Sequence, residues 1–429
     1  MFWKEIIKIS EKFEHQLTPE QIYFYERQKE FPASLMLNMY PFLIRLEDWV
    51  DMEKMSAGII KTAQAHPACF SVIEEHNGIL TQKYVPDLIK NVKIEKISET
   101  EFQAIKNDLV QPFSLLNNAL FRFRLFETEK AKYFFIDTHH IFCDAFAKTV
   151  FVKDLDKIYA GREVGKDAWL SYLDERENAK FTPHYEESRL YYENFYGGTD
   201  WSRYPKTDFL SDETKNQQGL LFRDVEIRES DLEILKNYHL TYNEFFSVIS
   251  LLSTALFNNS ENVINTWTYK GRWQKSHHGI IGNMIMDMPL ALKLKNMTVN
   301  QIFKSVREQV KGSLLHRDYP YTMLNEKILE DDILCFIYHG DLYSVPSQIN
   351  LFQSMEIDFN DDSKGAGASG NVLNAEIRHN DDGFLLLCDY AAHKYKPETI
   401  EKFADVFTGC CHKLIKIMKE NKCDSEVFF

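Results

Sequence analysis

Two adjacent histidines, His139 and His140, with Asp144 four residues beyond the second, are the residues of this chain best placed to do chemistry. Imidazole titrates closest to working pH of any ordinary side chain, so it can take up and return one proton. The pair ends the run Tyr133-Phe-Phe-Ile-Asp-Thr138, whose β-branched and aromatic residues predict a strand. From Phe146 the apolar positions become Phe146, Val150, Phe151, Leu155, Ile158 and Tyr159, a helical spacing closed by Gly161. The histidines therefore sit where a strand hands over to a helix. Successive strand side chains point to opposite faces, so two neighbours do not both enter one cavity. One can serve as a base while the other braces the turn, as a single-histidine acyl-transfer site requires.

The elements that must hold this turn are legible around it. Leu17-Thr-Pro-Glu-Gln-Ile-Tyr23 predicts a helix start, with Thr18 as N-cap, Pro19 in the first turn and Gln21 three residues after the cap. Helical patterning follows over Met52 to Ala65, then strand-like pieces near Phe70 to Ile73 and Ala119 to Phe126. Ala168 to Thr207 reads as a crossover helix and linker, its Tyr191, Tyr192 and Phe195 helix-spaced for packing. Beyond it, Leu220 to Ile227 and Asn262 to Tyr269 predict strands, and Thr241-Tyr-Asn-Glu244 is a capping box ahead of the apolar helix Phe245 to Phe257. Pro397 opens a last helix with Ile400, Phe403, Phe407, Cys410, Leu414 and Ile417 on one face, while Asp361 to Asn371 has loop composition. The expectation is a mixed α/β chain of two lobes, 1–175 carrying the histidines and 176–429 following.

Composition narrows the function. The net charge of −14 is spread without long blocks of one sign, which speaks against a phosphate-binding stripe and hence against nucleic acid as partner. Seven cysteines, scattered and without a C-x-x-C, read as reduced thiols of a cytoplasmic protein rather than disulfides or a zinc site. The N-terminus has no signal-peptide pattern, and Phe245 to Phe257 is too short to span a bilayer. His277-His278 has no carboxylate at metal spacing and reads as loop; no metal site is expected. Asp154-Leu-Asp156 and Asp331-Asp332 read as solvated or capping carboxylates. Phosphate-binding loops, dinucleotide fingerprints, G-x-S-x-G and H-E-x-x-H are absent.

His139-His-Ile-Phe-Cys-Asp-Ala145 resembles the HHxxxDG signature of nonribosomal peptide synthetase condensation domains, members of the chloramphenicol-acetyltransferase-like superfamily. The resemblance runs in order along the chain. Leu17-Thr-Pro-Glu-Gln21 is similar to L-[TS]-P-x-Q, and Gln111-Pro-Phe-Ser-Leu-Leu-Asn-Asn-Ala-Leu-Phe-Arg122 to R-P-F-D-L-x-x-G-P-L-x-R. Tyr269-Lys-Gly-Arg272 stands for the family's G-R, Gly282 to Leu290 for G-x-x-x-N-T-x-P-L, and His316-Arg-Asp-Tyr-Pro-Tyr321 for H-Q-D-x-P-F. The final Lys422 to Phe429 resembles an interdomain linker. Four positions depart from the pattern: Ala145 for glycine, Met286 for asparagine with Asp287 after it, Phe70 for arginine, and Ser114 for aspartate.

The resemblance implies two similar lobes in a V with a tunnel at their junction. Donor and acceptor carrier proteins would present phosphopantetheine-borne substrates, with CoA as the other donor source and no bound cofactor. An acceptor amine attacks a donor thioester, leaving an amide on the downstream carrier. His140 is the implied catalytic histidine and His139 a structural one. Asp144 would hold the turn, Arg272 would be its partner across the lobe junction, and Ala145 and Met286 would line the tunnel. Whether His140 removes the proton or orients the amine stays open. With Met1 native, the donor would arrive from a separate carrier or as acyl-CoA, and further synthetase domains would follow downstream. Three other readings stand beside this one: an epimerization domain, a free-standing acyltransferase with a soluble acceptor, and a non-catalytic docking domain.

Overall fold

Lys132–Thr138, the strand that leads into the histidines, lies at the centre of a five-stranded sheet in the computed structural model. The structure describes residues 14–30, 32, 35, 37–38, 41–209, 218–320, 323, 333–340, 349–358, 372–380 and 383–424. The sheet order is Phe352–Asp358, Phe42–Leu46, Lys132–Thr138, Phe121–Glu127, Ile94–Lys96; the last pair is parallel and the rest antiparallel. Both faces of the central strand are covered by apolar side chains, which is why its sequence is a nearly continuous apolar run. Phe134 and Ile136 face the large core shared with the helices Met52–Ala65 and Ala145–Tyr159. Tyr133 and Phe135 face a smaller cluster with Leu43, Phe102 and Phe126. Phe123 stacks on Phe151 at 5.1 Å and fixes the motif helix to the sheet; burying a side chain of that size contributes about 1.5–3 kcal/mol. A three-stranded sheet, Glu14–Gln16, Ile79–Tyr84, Ser71–His76, completes this part of the fold.

The chain forms two compact units, each assembled from separated segments. The first takes the described residues up to 179, together with 272–284 and 349–358; the second takes the remainder. The first crossing, at 179–180, is close to the division expected at 175–176, while the two later segments depart from it. In the second unit the sheet order is Met286–Lys293, Asn262–Tyr269, Cys335–Gly340, Leu373–Asn380, Gly383–Ala391, Gln218–Asp224. Helix Tyr242–Asn258, capped by Thr241 and Glu244 as the sequence predicts, is its buried centre and packs on the C-terminal helix Pro397–Lys419. No single helix among the described residues is long and apolar enough to cross a membrane.

Two sequence readings change. The segment expected as one crossover helix is two, Trp169–Ala179 and Pro183–Tyr196, because Pro183 restarts the chain as a new helix after Thr182. Of the three aromatics read as packing, Tyr192 is buried with Tyr196, Trp201, Ile264 and Ala291 and Tyr191 packs partly buried against them, whereas Phe195, on the outer side of the helix, is exposed. Asp361 to Asn371, Asp331-Asp332 and residues 425–429 lie outside the described residues.

Candidate functional site

The strand ends at Thr138, His139 pairs beyond it in an isolated antiparallel bridge with Asn38, and the chain turns at His140. Alternation therefore no longer separates the histidines: both meet side chains from one helix, Pro19–Glu30. His140 stacks on Phe24, with ring centroids 4.2 Å apart and an interplanar angle of 18°. His139 is fully buried, its Nε2 lying 3.2 Å from Gln28 Oε1, while its Nδ1 accepts the Ile141 N–H at 3.1 Å. That second contact fixes the tautomer, because an Nδ1 that accepts leaves the proton on Nε2 to be donated to Gln28. Gln21 completes the stripe. Its Nε2 donates to the Ile141 carbonyl at 3.1 Å, and its backbone N–H and Oε1 close a reciprocal pair with Thr18. Gln21, Phe24 and Gln28 stand at i, i+3 and i+7, one helical face laid against the motif turn.

The two imidazoles consequently differ in electrostatics. Burial, with a smaller contribution from His140, pushes the His139 pKa down to about 3, so this ring is neutral. Burial also lowers His140, opposed by backbone groups of His140 and Cys143 and by the Asp144 charge. His140 keeps partial exposure, and its buried Nδ1 has no partner of hydrogen-bond geometry.

Asp144 caps the motif helix, accepting the Ala147 N–H at 2.8 Å. Its carboxylate also takes Arg272 through a two-pronged contact, Nη1 to Oδ2 at 2.7 Å and Nη2 to Oδ1 at 3.0 Å, and accepts the Met284 N–H at 3.1 Å. Both side chains are buried. Arg272 further donates to the Ile280 carbonyl at 3.3 Å and lies over the Phe146 ring at 4.5 Å. The sequence-expected pair is formed, but Arg272 opens the segment 272–284 of the first unit, so the contact is internal to that unit. Ala145 is the first, half-buried residue of the motif helix. Met286 is buried at the start of the edge strand of the second unit. Gly282 has its own local reason, since a Cβ there would meet the Trp169 ring at 2.4 Å.

Several supporting groups escaped sequence reading. Arg122, the last residue of the segment that resembles P-L-x-R, donates to Asp137 Oδ2 at 2.7 Å, and Asn38 joins them at 2.9 Å. Burial raises the Asp137 pKa to about 6 against the pull of Arg122. Asp154, read as solvated, is buried: its Oδ2 lies 3.3 Å from His66 Nε2, and Lys157 reaches Oδ1 at 2.6 Å. His66 Nδ1 meets Asp167 Oδ2 at 2.7 Å, and Asp167 accepts the Ile281 N–H at 3.0 Å. His277 is also not a plain loop residue, being buried against Trp273 and Tyr172 with Glu175 at 3.5 Å.

The His66 cluster carries a pH prediction. Burial lowers the His66 pKa, but hydrogen bonds and charge from Asp154 and Asp167 outweigh it and hold the group above its ordinary 6.5. The folded state then binds the extra proton, so this contribution is complete below about 6.5 and lost as pH rises through the folded value. In thermal melts between pH 6 and 9, the wild type should lose stability relative to His66→Gln. Parallel curves would remove His66 as the source.

The family model described as Condensation domain matches residues 12–426. Tyrocidine synthase 3 of Brevibacillus parabrevis is 22% identical over 395 residues, covering 87% of this chain and 6% of that protein. Bacitracin synthase 3 of Bacillus licheniformis is 21% identical over 438 residues, covering 97% and 7%. The chain thus spans less than a tenth of the length of these two relatives. Among solved structures, the first condensation domain of the calcium-dependent antibiotic synthetase in complex with substrate analogue 2a aligns with TM-score 0.69 at 14% identity, covering 97% of this chain and 98% of the other. The X-domain from teicoplanin biosynthesis aligns with TM-score 0.75 at 16% identity, covering 96% and 97%. At such identities the structures speak for the fold, and they bear out the mixed α/β, chloramphenicol-acetyltransferase-like expectation.

Proposed function

The chain belongs to the condensation-domain family, and from that premise we propose that it forms an amide between an acceptor amine and a donor acyl or peptidyl thioester. The observation that carries this reading is the asymmetry of the histidines: His139 is fully buried with both ring nitrogens engaged, while His140 is stacked on Phe24 and partly exposed. The substrates are held on phosphopantetheine arms of donor and acceptor carrier proteins, the acceptor being an aminoacyl group. Downstream synthetase domains are the expected neighbours in the cytoplasm.

In this reaction the acceptor nitrogen attacks the thioester carbonyl, the C–N bond forms and the C–S bond breaks. One proton must leave the nitrogen, and the departing thiolate must receive one. A neutral His140 can take the first and return it to sulfur, or hold the amine by hydrogen bonding. Either role suits an already activated ester, for which alignment of the reactants can supply effective molarities of about 10⁵ M or more. Asp144 and Arg272 hold the turn that presents the ring. Ala145 at the helix start is a proposed substrate-lining position, and Met286 is separately proposed as one.

The test is intact-protein mass spectrometry of two loaded carriers mixed with this chain, the donor deuterated at its α-carbon. A new amide on the acceptor carrier supports condensation. Loss of α-deuterium without product would replace it by epimerization. Carrier binding without either change, across several substrates, would replace it by docking.

A further inference from the structure

Three consecutive residues of the motif turn are met, in reversed order, by one face of the helix Pro19–Glu30. Gln28 Oε1 lies 3.2 Å from His139 Nε2, the Phe24 and His140 ring centroids are 4.2 Å apart, and Gln21 Nε2 lies 3.1 Å from the Ile141 carbonyl. The outer two contacts are hydrogen bonds that fix the helix against the turn on either side of His140. The helix is also tied to the rest of the first unit. Gln82 donates to Gln21 Oε1 at 2.6 Å, and Arg176 of the helix Trp169–Ala179 donates to Glu20 at 3.0 Å. Phe24 itself packs, half-buried, against the core that carries the motif helix. Its ring is therefore held in place independently of His140.

The backbone of His140 is fixed by its N–H, which donates to the Leu37 carbonyl at 2.8 Å. The orientation of its ring is a separate matter. The outer torsion of a histidine turns an sp² ring in a broad energy well, so the backbone alone does not choose the ring plane. The Phe24 ring does choose it. At 4.2 Å and 18° from parallel, it leaves no room for the imidazole to turn its edge inward. An imidazole accepts and donates protons in its own plane, so the plane decides from which direction a proton can be taken.

We infer that Phe24 is a positioning residue for the reaction: its ring holds the His140 imidazole in the plane from which a ring nitrogen meets the attacking amine. Gln21 and Gln28 hold the helix that carries this ring. The inference rests on the reading of His140 as the reacting imidazole.

The experiment compares Phe24→Leu, which keeps apolar bulk without a flat ring, with Phe24→Tyr, which keeps the ring. The full chain is labelled with ¹³C in its histidine rings, and the His140 signals are assigned by their absence from His140→Ala. A stacked Phe24 shields the carbon-bound imidazole protons, so Phe24→Leu should move them downfield and Phe24→Tyr should not. With loaded carriers, Phe24→Leu should lower kcat by about 10- to 100-fold at unchanged KM, the scale of a slightly misplaced reacting group. Phe24→Tyr should recover most of that loss. In the His140→Ala background the leucine should cost nothing further, whereas a merely structural role would lower the rate in both backgrounds. Phe24→Met gives the same readings if the Leu variant does not fold. Unmoved imidazole protons, a wild-type kcat in a folded Leu or Met variant, or an equal loss in both backgrounds overturns the inference and leaves condensation untouched. A His140→Ala chain as active as the wild type overturns the reading of His140 instead, and the imidazole protons still decide whether Phe24 holds the ring.

Discussion

Arg272→Met should destabilise the first unit by about 3–5 kcal/mol, the usual cost of removing one partner from a buried ion pair. The substitution keeps most of the side-chain length but leaves the Asp144 carboxylate buried without its guanidinium. What remains are two backbone donors, the N–H groups of Ala147 and Met284, at 2.8 and 3.1 Å. These satisfy lone pairs without supplying a positive charge. Arg272 also bridges Ile280 to Phe146, so its loss loosens the 272–284 segment from the motif helix. Amide hydrogen exchange should quicken at Ala147 and Met284 ahead of the second unit, and the denaturation midpoint should fall. Combining Asp144→Asn with Arg272→Met should recover part of the loss, because the neutral side chain no longer needs a cation and still accepts the Ala147 N–H. A single variant as stable as the wild type would show that Asp144 does not depend on Arg272, and the turn would need another account.

The difference between what the sequence disclosed and what it withheld follows from the range of the interactions. The strand–turn–helix around His139, His140 and Asp144 was legible because its signals are local: an apolar run, a capping carboxylate, and a helical period ended by Gly161 with φ +77°. The Thr18–Gln21 and Thr241–Glu244 caps were legible for the same reason. Gln21, Phe24 and Gln28 were not read as a unit. Two glutamines on the inner face of a helix blur its amphipathic pattern, and only the folded turn supplies the carbonyl and imidazole they bind. Had polar residues at i and i+7 been weighed as partners for a buried polar motif, the stripe was available. Asp154 was misjudged because a carboxylate reads as solvated until its cation is found, and His66 comes from a different helix end. The assignment of 272–284 and 349–358 to the first unit has no local signature. A strand such as Phe352–Asp358 reveals its partner Phe42–Leu46 only through long-range pairing. The family resemblance did anticipate the Asp144–Arg272 contact, which no periodicity could have given.

His140→Ala should reduce amide formation by about 10²–10⁴-fold, the range for loss of one general base or acid. The reduction should fall on kcat rather than on carrier binding, since the ring is proposed to act on the reacting nitrogen and the variant leaves Asp144, Arg272 and His139 in place. Activity should not vanish, because juxtaposing amine and thioester survives the substitution. The pH profile adds a second, independent reading. Burial holds His140 below its ordinary value of 6.5, so its neutral form dominates at neutral pH. The rate should then be flat near pH 7 and fall on acidification only below the usual histidine range. In His140→Ala this acid limb should disappear, leaving the dependence set by the acceptor amine alone. His139→Ala should behave differently. Removing a ring that links Gln28 to the Ile141 N–H should lower the melting temperature and disturb the turn, and stabilising conditions should restore part of the rate. If His140→Ala turned over like the wild type with the same acid limb, the proton would have to be handled elsewhere. The imidazole stacked on Phe24 would then be part of the scaffold rather than of the reaction.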